Sequence, residues 1–380
     1  MDVLVIGAGP YGLATAAAAR AAGLETVVVG RPMGFWRDHM PPGMFLRSGP
    51  DWHLDAAGEH TFAAYFEDRG LDREDNDPVP IGVFLDHTEW FREQKGFDVD
   101  ERLVDRLEAD DGGGFLATMA DGSSIAAEKV LAAPGIRHFV NLPDWHERVP
   151  EQRRAHTCDL VDFDALAGAR VVVVGGRQSA YEWAALLCDH GAESVDVVHR
   201  HTAPAFEQVS WAFVDPYVEQ TLARRGWWRG LAPEEQRGIA LEFWQVGRLT
   251  LEPWLPPRLR PEVVTVHASC SVVDVEEADG VEDGGGATVL VLTDGTRLTA
   301  DFVVFASGYR ADISRVAYLK PVLGDVAVTD GFPQLSEGFE TSVPGLFVTG
   351  FAATRDFGPF YGFTKGCPSS ARLVVDEMLR

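Results

Sequence analysis

Apolar and polar positions along the chain fall into short, sharply bounded blocks. Residues 2–6 (DVLVI) are almost wholly apolar, Gly7-Ala8-Gly9-Pro10-Tyr11-Gly12 interrupts them, an alanine-rich stretch runs to Ala22, and Gly23 closes it. This predicts a strand, a tight turn and a helix with glycine just past its C-terminus. A second β-rich run, Thr26–Val29, completes a βαβ unit of the kind that a parallel sheet buried on both faces requires. Residues 170–198 repeat the plan, with RVVVV, a Gly175-Gly176 turn, a helix ended by Gly191 and a further strand. The predicted fold class is α/β, with two Rossmann-like dinucleotide-binding units in one chain.

A second repetition supports the first. Residues 121–135 (DGSSIAAEKVLAAPG) align without a gap on 294–308 (DGTRLTADFVVFASG), identical at six of the fifteen positions. Each copy predicts an Asp-Gly hairpin turn and an apolar strand ending in a glycine, Gly135 or Gly308, where the backbone must pass close to something. Duplication accounts for the matching order. Asp-Gly-Gly-Gly at 111–114 and at 283–286 reads as hairpin tips. Between the repeats, residues 201–262 lose the β alternation and hold Trp211, Trp227, Trp228, Trp244 and Trp254. Helical spacing at 214–226 and 233–249 predicts a helical insertion whose aromatics mostly form its own core, with one or two lining a substrate pocket.

Charge and cysteine content narrow the function classes. The 380 residues carry a formal charge of −25, a field that repels phosphate backbones and anionic lipid, so no nucleic-acid or membrane partner is expected. Cys158, Cys188, Cys270 and Cys367 are far apart with no CxxC pair, which argues against a disulfide framework, a metal site and a dithiol redox centre. They read as reduced thiols of a cytoplasmic protein. The first residues run straight into a strand, and no stretch approaches 18 apolar residues, so neither export signal nor membrane span is expected.

The candidate chemistry lies at the glycine turns. Gly7 allows the tight turn, Gly9 lets the backbone approach a pyrophosphate, and Gly12 lets the helix pack on the strand. The helix N-terminus, opened by Pro10, offers free N–H groups to the phosphates. The acidic residue expected near the end of the second strand is missing, where Val29-Gly30-Arg31 stands instead, so adenosine must be held differently, by Arg31 or by main chain. In the second turn Arg177 occupies the middle glycine's place, where its guanidinium can swing out to a pyrophosphate. Arg200, at the end of the following strand, can accept a ribose 2′-phosphate bidentately and select NADP over NAD.

With these turns, Gly34-Phe35-Trp36, Phe305-Ala306-Ser307-Gly308-Tyr309, PGLFVTG at 344–350 and DFGPFYGF at 356–363, the chain resembles the class B flavin monooxygenases. These are the flavin-containing and Baeyer–Villiger monooxygenases and the N-hydroxylases of amino acids and polyamines. Where that class carries FxGxxxH, this chain has Ala133-Pro134-Gly135-Ile136-Arg137-His138. The resemblance implies FAD and NADPH as cofactors, O₂ and a small molecule as partners, and oxygenation through a C4a-(hydro)peroxyflavin; a homodimer stays open. It implies an FAD domain from residues 1–155 and 311–380 and an NADP domain from 156–310, with 201–262 as a substrate lid. Gly7, Gly9, Gly12, Trp36, Gly350 and Phe360 would then belong to the FAD site, and Gly175, Gln178, Ser179 and Arg200 to the NADP site. The C-terminal run would be a helix whose N-terminus faces the flavin pyrimidine. Arg47 and Ser48, after the GFW motif, would lie beside the flavin, with Arg47 stabilising the peroxide anion. Arg355 and Asp356, just past the last strand, are second catalytic candidates. A flavin-dependent NAD(P)H reductase without a dithiol and a non-catalytic dinucleotide-binding protein are the alternatives.

Overall fold

The computed structural model describes residues 1–110, 112–208, 210–277 and 287–380. The second glycine-rich tip, 283–286, and Asp111 of the first lie outside the described residues. Strands β1 (Val3–Ile6), β2 (Thr26–Val29), β6 (Lys129–Ala132) and β19 (Leu346–Val348) form a parallel sheet in the order β19-β6-β1-β2. All four residues of β1 are buried, as a strand covered on both faces must be. Helix α1 (Pro10–Ala21) crosses from β1 to β2 and packs along the C-terminal helix α9 (Cys367–Met378). A second parallel sheet has the order β12-β9-β8-β16-β7, from β7 (Arg154–His156), β8 (Arg170–Val174), β9 (Ser194–His199), β12 (Val264–Ala268) and β16 (Phe302–Phe305). Helix α5 (Gln178–Asp189) joins β8 to β9, so both predicted βαβ units form.

The two halves repeat down to single residues. Strand β5 (Ser124–Ala127) and strand β15 (Arg297–Ala300) each begin three residues after the turn aspartate, and β6 and β16 each begin eight after it. Asp121 accepts a hydrogen bond from Ser123 N and Asp294 one from Thr296 N, both at 2.9 Å, which fixes the same turn twice. Strands β3 (Val104–Ala109) and β4 (Phe115–Met119) complete the first antiparallel meander with β5, and β13 (Val272–Glu277) and β14 (Thr288–Leu292) complete the second with β15. The closing glycines 135 and 308 have φ of 70° and 78°, and a Cβ at either would meet nothing within 4 Å. Conformation, rather than close approach, therefore makes them glycine.

The insertion folds as α6 (Asp215–Ala223) and α7 (Pro233–Gly247), tied at its base by the parallel pair β10 (Ala205–Phe206) and β11 (Thr250–Leu251). Its buried Trp211, Trp227, Trp228 and Phe243 join the core of the first sheet, while Leu251 and Leu255 join that of the second. The insertion leaves the chain in the second unit and packs on the first, so it bridges the two. Trp244, by contrast, is 37% exposed. The four cysteines are unpaired and buried, and no helix among the described residues is long and apolar enough to cross a membrane.

Candidate functional site

Gly7 and Gly12 are glycines for packing reasons. A Cβ at Gly7 would lie 2.2 Å from Ala133 O, and one at Gly12 would lie 1.8 Å from Gly7 O. Gly9 differs, since a Cβ there would meet no atom within 4 Å. It is the N-cap of α1, no side chain caps it, and Pro10 follows at the first helical position. The first-turn N–H groups have no intrahelical acceptor, so the turn presents donors and room together, which fits a dinucleotide pyrophosphate. The second turn copies it. A Cβ at Gly175 would lie 2.4 Å from Ala306 O, and Arg177 is the uncapped N-cap of α5. A Cβ at Gly176 would fall 2.3 Å from the ring of buried His199, which Tyr181 Oη and His201 O hold at 3.0 and 2.9 Å.

Tyr11 ties the first turn to the C-terminal loop. Its hydroxyl reaches the carbonyl oxygens of Tyr361 and, at 2.8 Å, Phe363, and its ring lies against the positive-φ Gly350. A side chain at Gly366 would strike the Tyr11 hydroxyl, so the loop runs directly over the start of α1. Trp36, on the short helix α2 (Gly34–Asp38), packs edge-on against Phe84 at 4.9 Å, and the exposed Arg31 pairs with Asp38 at 2.8 Å. Burial pushes the His156 imidazole down to about 4; its Nε2 lies 3.2 Å from Gly308 O at the second closing glycine.

The catalytic candidates do not all sit as expected. Arg47 is not a free cation: its Nε donates to Glu252 Oε1 at 2.9 Å, Nη1 to Gly247 O at 2.8 Å and Nη2 to Thr250 O at 3.1 Å. Its side chain is 12% and that of Glu252 10% exposed, so the pair is a largely buried clasp on the insertion. Asp356 is buried and accepts from Leu335 N at 2.8 Å, and Arg355 is exposed while its carbonyl accepts from Trp228 Nε1 at 3.0 Å. Ser48 is half-buried nearby. Phe360 is buried against Trp228 and Tyr217, and it is Phe363 that carries a guanidinium, with Arg248 at 5.0 Å from its ring. Gln178 is buried and accepts from Glu252 N at 3.1 Å, whereas Ser179 and Arg200 are exposed.

Sequence reasoning missed Arg248, Glu252 and Glu182. Glu182, one turn into α5, is wholly buried, and burial pushes its carboxyl up to about 8. An acidic residue on the apolar face of a predicted helix was the available signal. A cavity of about 260 Å³ opens between α6 and the first turn of α9, lined by Trp52, His53, Asp215, Lys365 and Arg372 among others.

Residues 1–226 match the pyridine nucleotide-disulphide oxidoreductase family, well over half of the chain. The chain belongs to that family. It is 26% identical, over 99% of its length and 86% of the relative, to an FAD-dependent urate hydroxylase of Xanthomonas campestris. It is 32% identical to a ferredoxin–NADP reductase of Burkholderia vietnamiensis over 53% of this chain and 51% of the relative. Among solved structures it is similar to the ornithine N-hydroxylase of Kutzneria sp. 744, with a TM-score of 0.80, 15% identity, and coverage of 100% of this chain and 99% of that one. That likeness extends the two-dinucleotide flavoprotein fold to the whole chain, including the residues beyond the family match.

Proposed function

We propose that the protein is an NADPH-dependent FAD monooxygenase that oxygenates a small molecule. The observation that carries this reading is the pair of matched turns, each with an uncapped helix N-terminus, on two separate parallel sheets. A full-length relative named as an FAD-dependent hydroxylase supports it, and so does a chain whose cysteines are far apart and buried, which has no dithiol to receive electrons. The chemistry the two cofactors supply is hydride transfer from NADPH to FAD and activation of O₂, one oxygen atom going to the substrate and the other to water.

In this reading each residue has a binding or positioning task. The open ground at Gly9 and the N–H groups of α1 hold the FAD pyrophosphate, and Arg31 meets the adenosine end. Trp36 packs beside that end, and Gly350 lets the last strand turn against Tyr11. The N-terminus of α5, with Gly175, Gln178 and Ser179, faces the NADPH pyrophosphate, with Arg177 in place of the usual glycine. Arg200 takes the 2′-phosphate. Arg47 anchors the insertion over the site, which keeps water out without touching substrate.

The test is oxygen uptake by the FAD-loaded protein with NADPH, scored against product formed from candidate amines, sulfides, ketones and heteroaromatic compounds. NADPH should reduce the flavin at a much lower concentration than NADH. Arg200→Ala should erase about ten- to a hundredfold of that difference, the worth of one charge-assisted contact. The ferredoxin–NADP reductase relatives favour a reductase instead. Uptake that ends wholly as hydrogen peroxide for every compound, with rapid reduction of an added one-electron acceptor, would establish that reading.

A further inference from the structure

Three arginines converge where the insertion meets the C-terminal loop, and their charges are unevenly answered. Arg47 has Glu252. Arg177 lies over the Trp244 ring at 4.2 Å, and Arg248 lies 5.6 Å from the same ring and 5.0 Å from Phe363. Among the described residues neither Arg177 nor Arg248 makes an ion pair with a carboxylate, and Arg248 Nε is buried without a hydrogen-bond partner. Burial, and then the charges of Arg47 and Arg177, push the Arg248 guanidinium down to about 9. A half-buried guanidinium among like charges, its Nε without a partner, is open to an anion that arrives from outside.

The two neighbouring sites do not supply that anion. In the proposed function Arg177, at the start of α5, and Arg200, at the end of β9, are assigned to the phosphates of a dinucleotide. In the cavity beside α9, Lys365 is already paired with Asp215. Arg248 shares the Trp244 ring with Arg177 but lies at the end of α7, on an aromatic floor in which Phe363 packs against Phe243 at 5.3 Å and Trp211 at 6.1 Å. Phe363 belongs to the loop that Tyr11 fastens to the first turn. We infer that Arg248 receives the carboxylate of an aromatic substrate whose ring lies on Phe363 and the partly exposed Trp244. Cation and ring surface side by side suit a planar anion, since the guanidinium fork matches a carboxylate and the rings match an arene. The inference rests on the monooxygenase reading for what becomes of the substrate, but not for its binding.

Calorimetric titration of the FAD-loaded protein with benzoate, indole-3-carboxylate and 2-naphthoate, each beside its neutral carboxamide, tests this without turnover. At least one carboxylate is expected to bind tenfold or more tightly than its amide. Arg248→Gln should abolish that preference and Arg248→Lys, which keeps the charge, should restore part of it with the flavin content of the wild type. Equal binding of every acid and amide, or failure of all three acids to bind below millimolar concentration, would overturn the assignment. So would a preference that survives in Arg248→Gln while that variant needs more NADPH for flavin reduction, which would give Arg248 to the cofactor's phosphates. Tight carboxylate binding with no oxygenated product would leave this inference standing and remove the monooxygenase reading.

Discussion

Replacing Arg47 by Met discriminates between a structural clasp and a catalytic cation. The substitution keeps the length of the side chain and removes three donated hydrogen bonds, to Glu252 Oε1, Gly247 O and Thr250 O. It strands the Glu252 carboxylate at 10% exposure. Removing one member of a buried pair costs about 3–5 kcal/mol, because the remaining charge is neither solvated nor answered. At about 2–4 °C per kcal/mol for a unit of roughly 150 residues, the second unit with its insertion should melt roughly 6–20 °C lower. Tryptophan fluorescence is a direct assay, since five of the ten tryptophans lie between 211 and 254. The double variant Arg47→Met with Glu252→Met replaces the pair by apolar groups and should recover most of the loss, a coupling of about 2 kcal/mol or more. If the single variant melts within about 2 °C of the wild type while turnover collapses, the clasp is wrong and Arg47 acts on reacting charge.

Two further outcomes follow from the geometry. Gly9→Val should leave the melting temperature of the apoprotein unchanged yet abolish flavin retention, because a side chain there meets only open space, whereas Gly12→Ala would strike Gly7 O and lose the fold; a Gly9→Val protein that purifies with stoichiometric FAD refutes the pyrophosphate assignment. Glu182, raised to about 8 by burial, keeps a proton in the folded protein that the unfolded chain loses above about 4.5, so stability should fall as pH rises between those values. Glu182→Gln should remove that slope and melt higher than wild type at pH 8, and an unchanged slope in thermal scans from pH 5 to 8 would show that Glu182 does not titrate in this window.

What the sequence determined by itself was whatever short-range physics sets. The strand, glycine turn and helix at 2–22 and again at 170–191 are local, since a buried strand, a turn opened by a glycine with no room for a Cβ and a helix start lie within a few residues of one another. The same holds for the hairpins at Asp121 and Asp294, each closed by a hydrogen bond to a backbone two residues on. The two candidate pyrophosphate turns were legible because each is built from such local backbone. Strand β7 was not, since its three residues are a strand only by pairing with β16, nearly 150 residues away. Tertiary structure alone decided the fate of the charges. Arg47 meets Glu252 across 205 residues of sequence, and Phe360 turns into the core while Phe363 turns to Arg248. A guanidinium's role depends on which acceptors the fold brings within about 3 Å, and spacing along the chain carries no record of that distance.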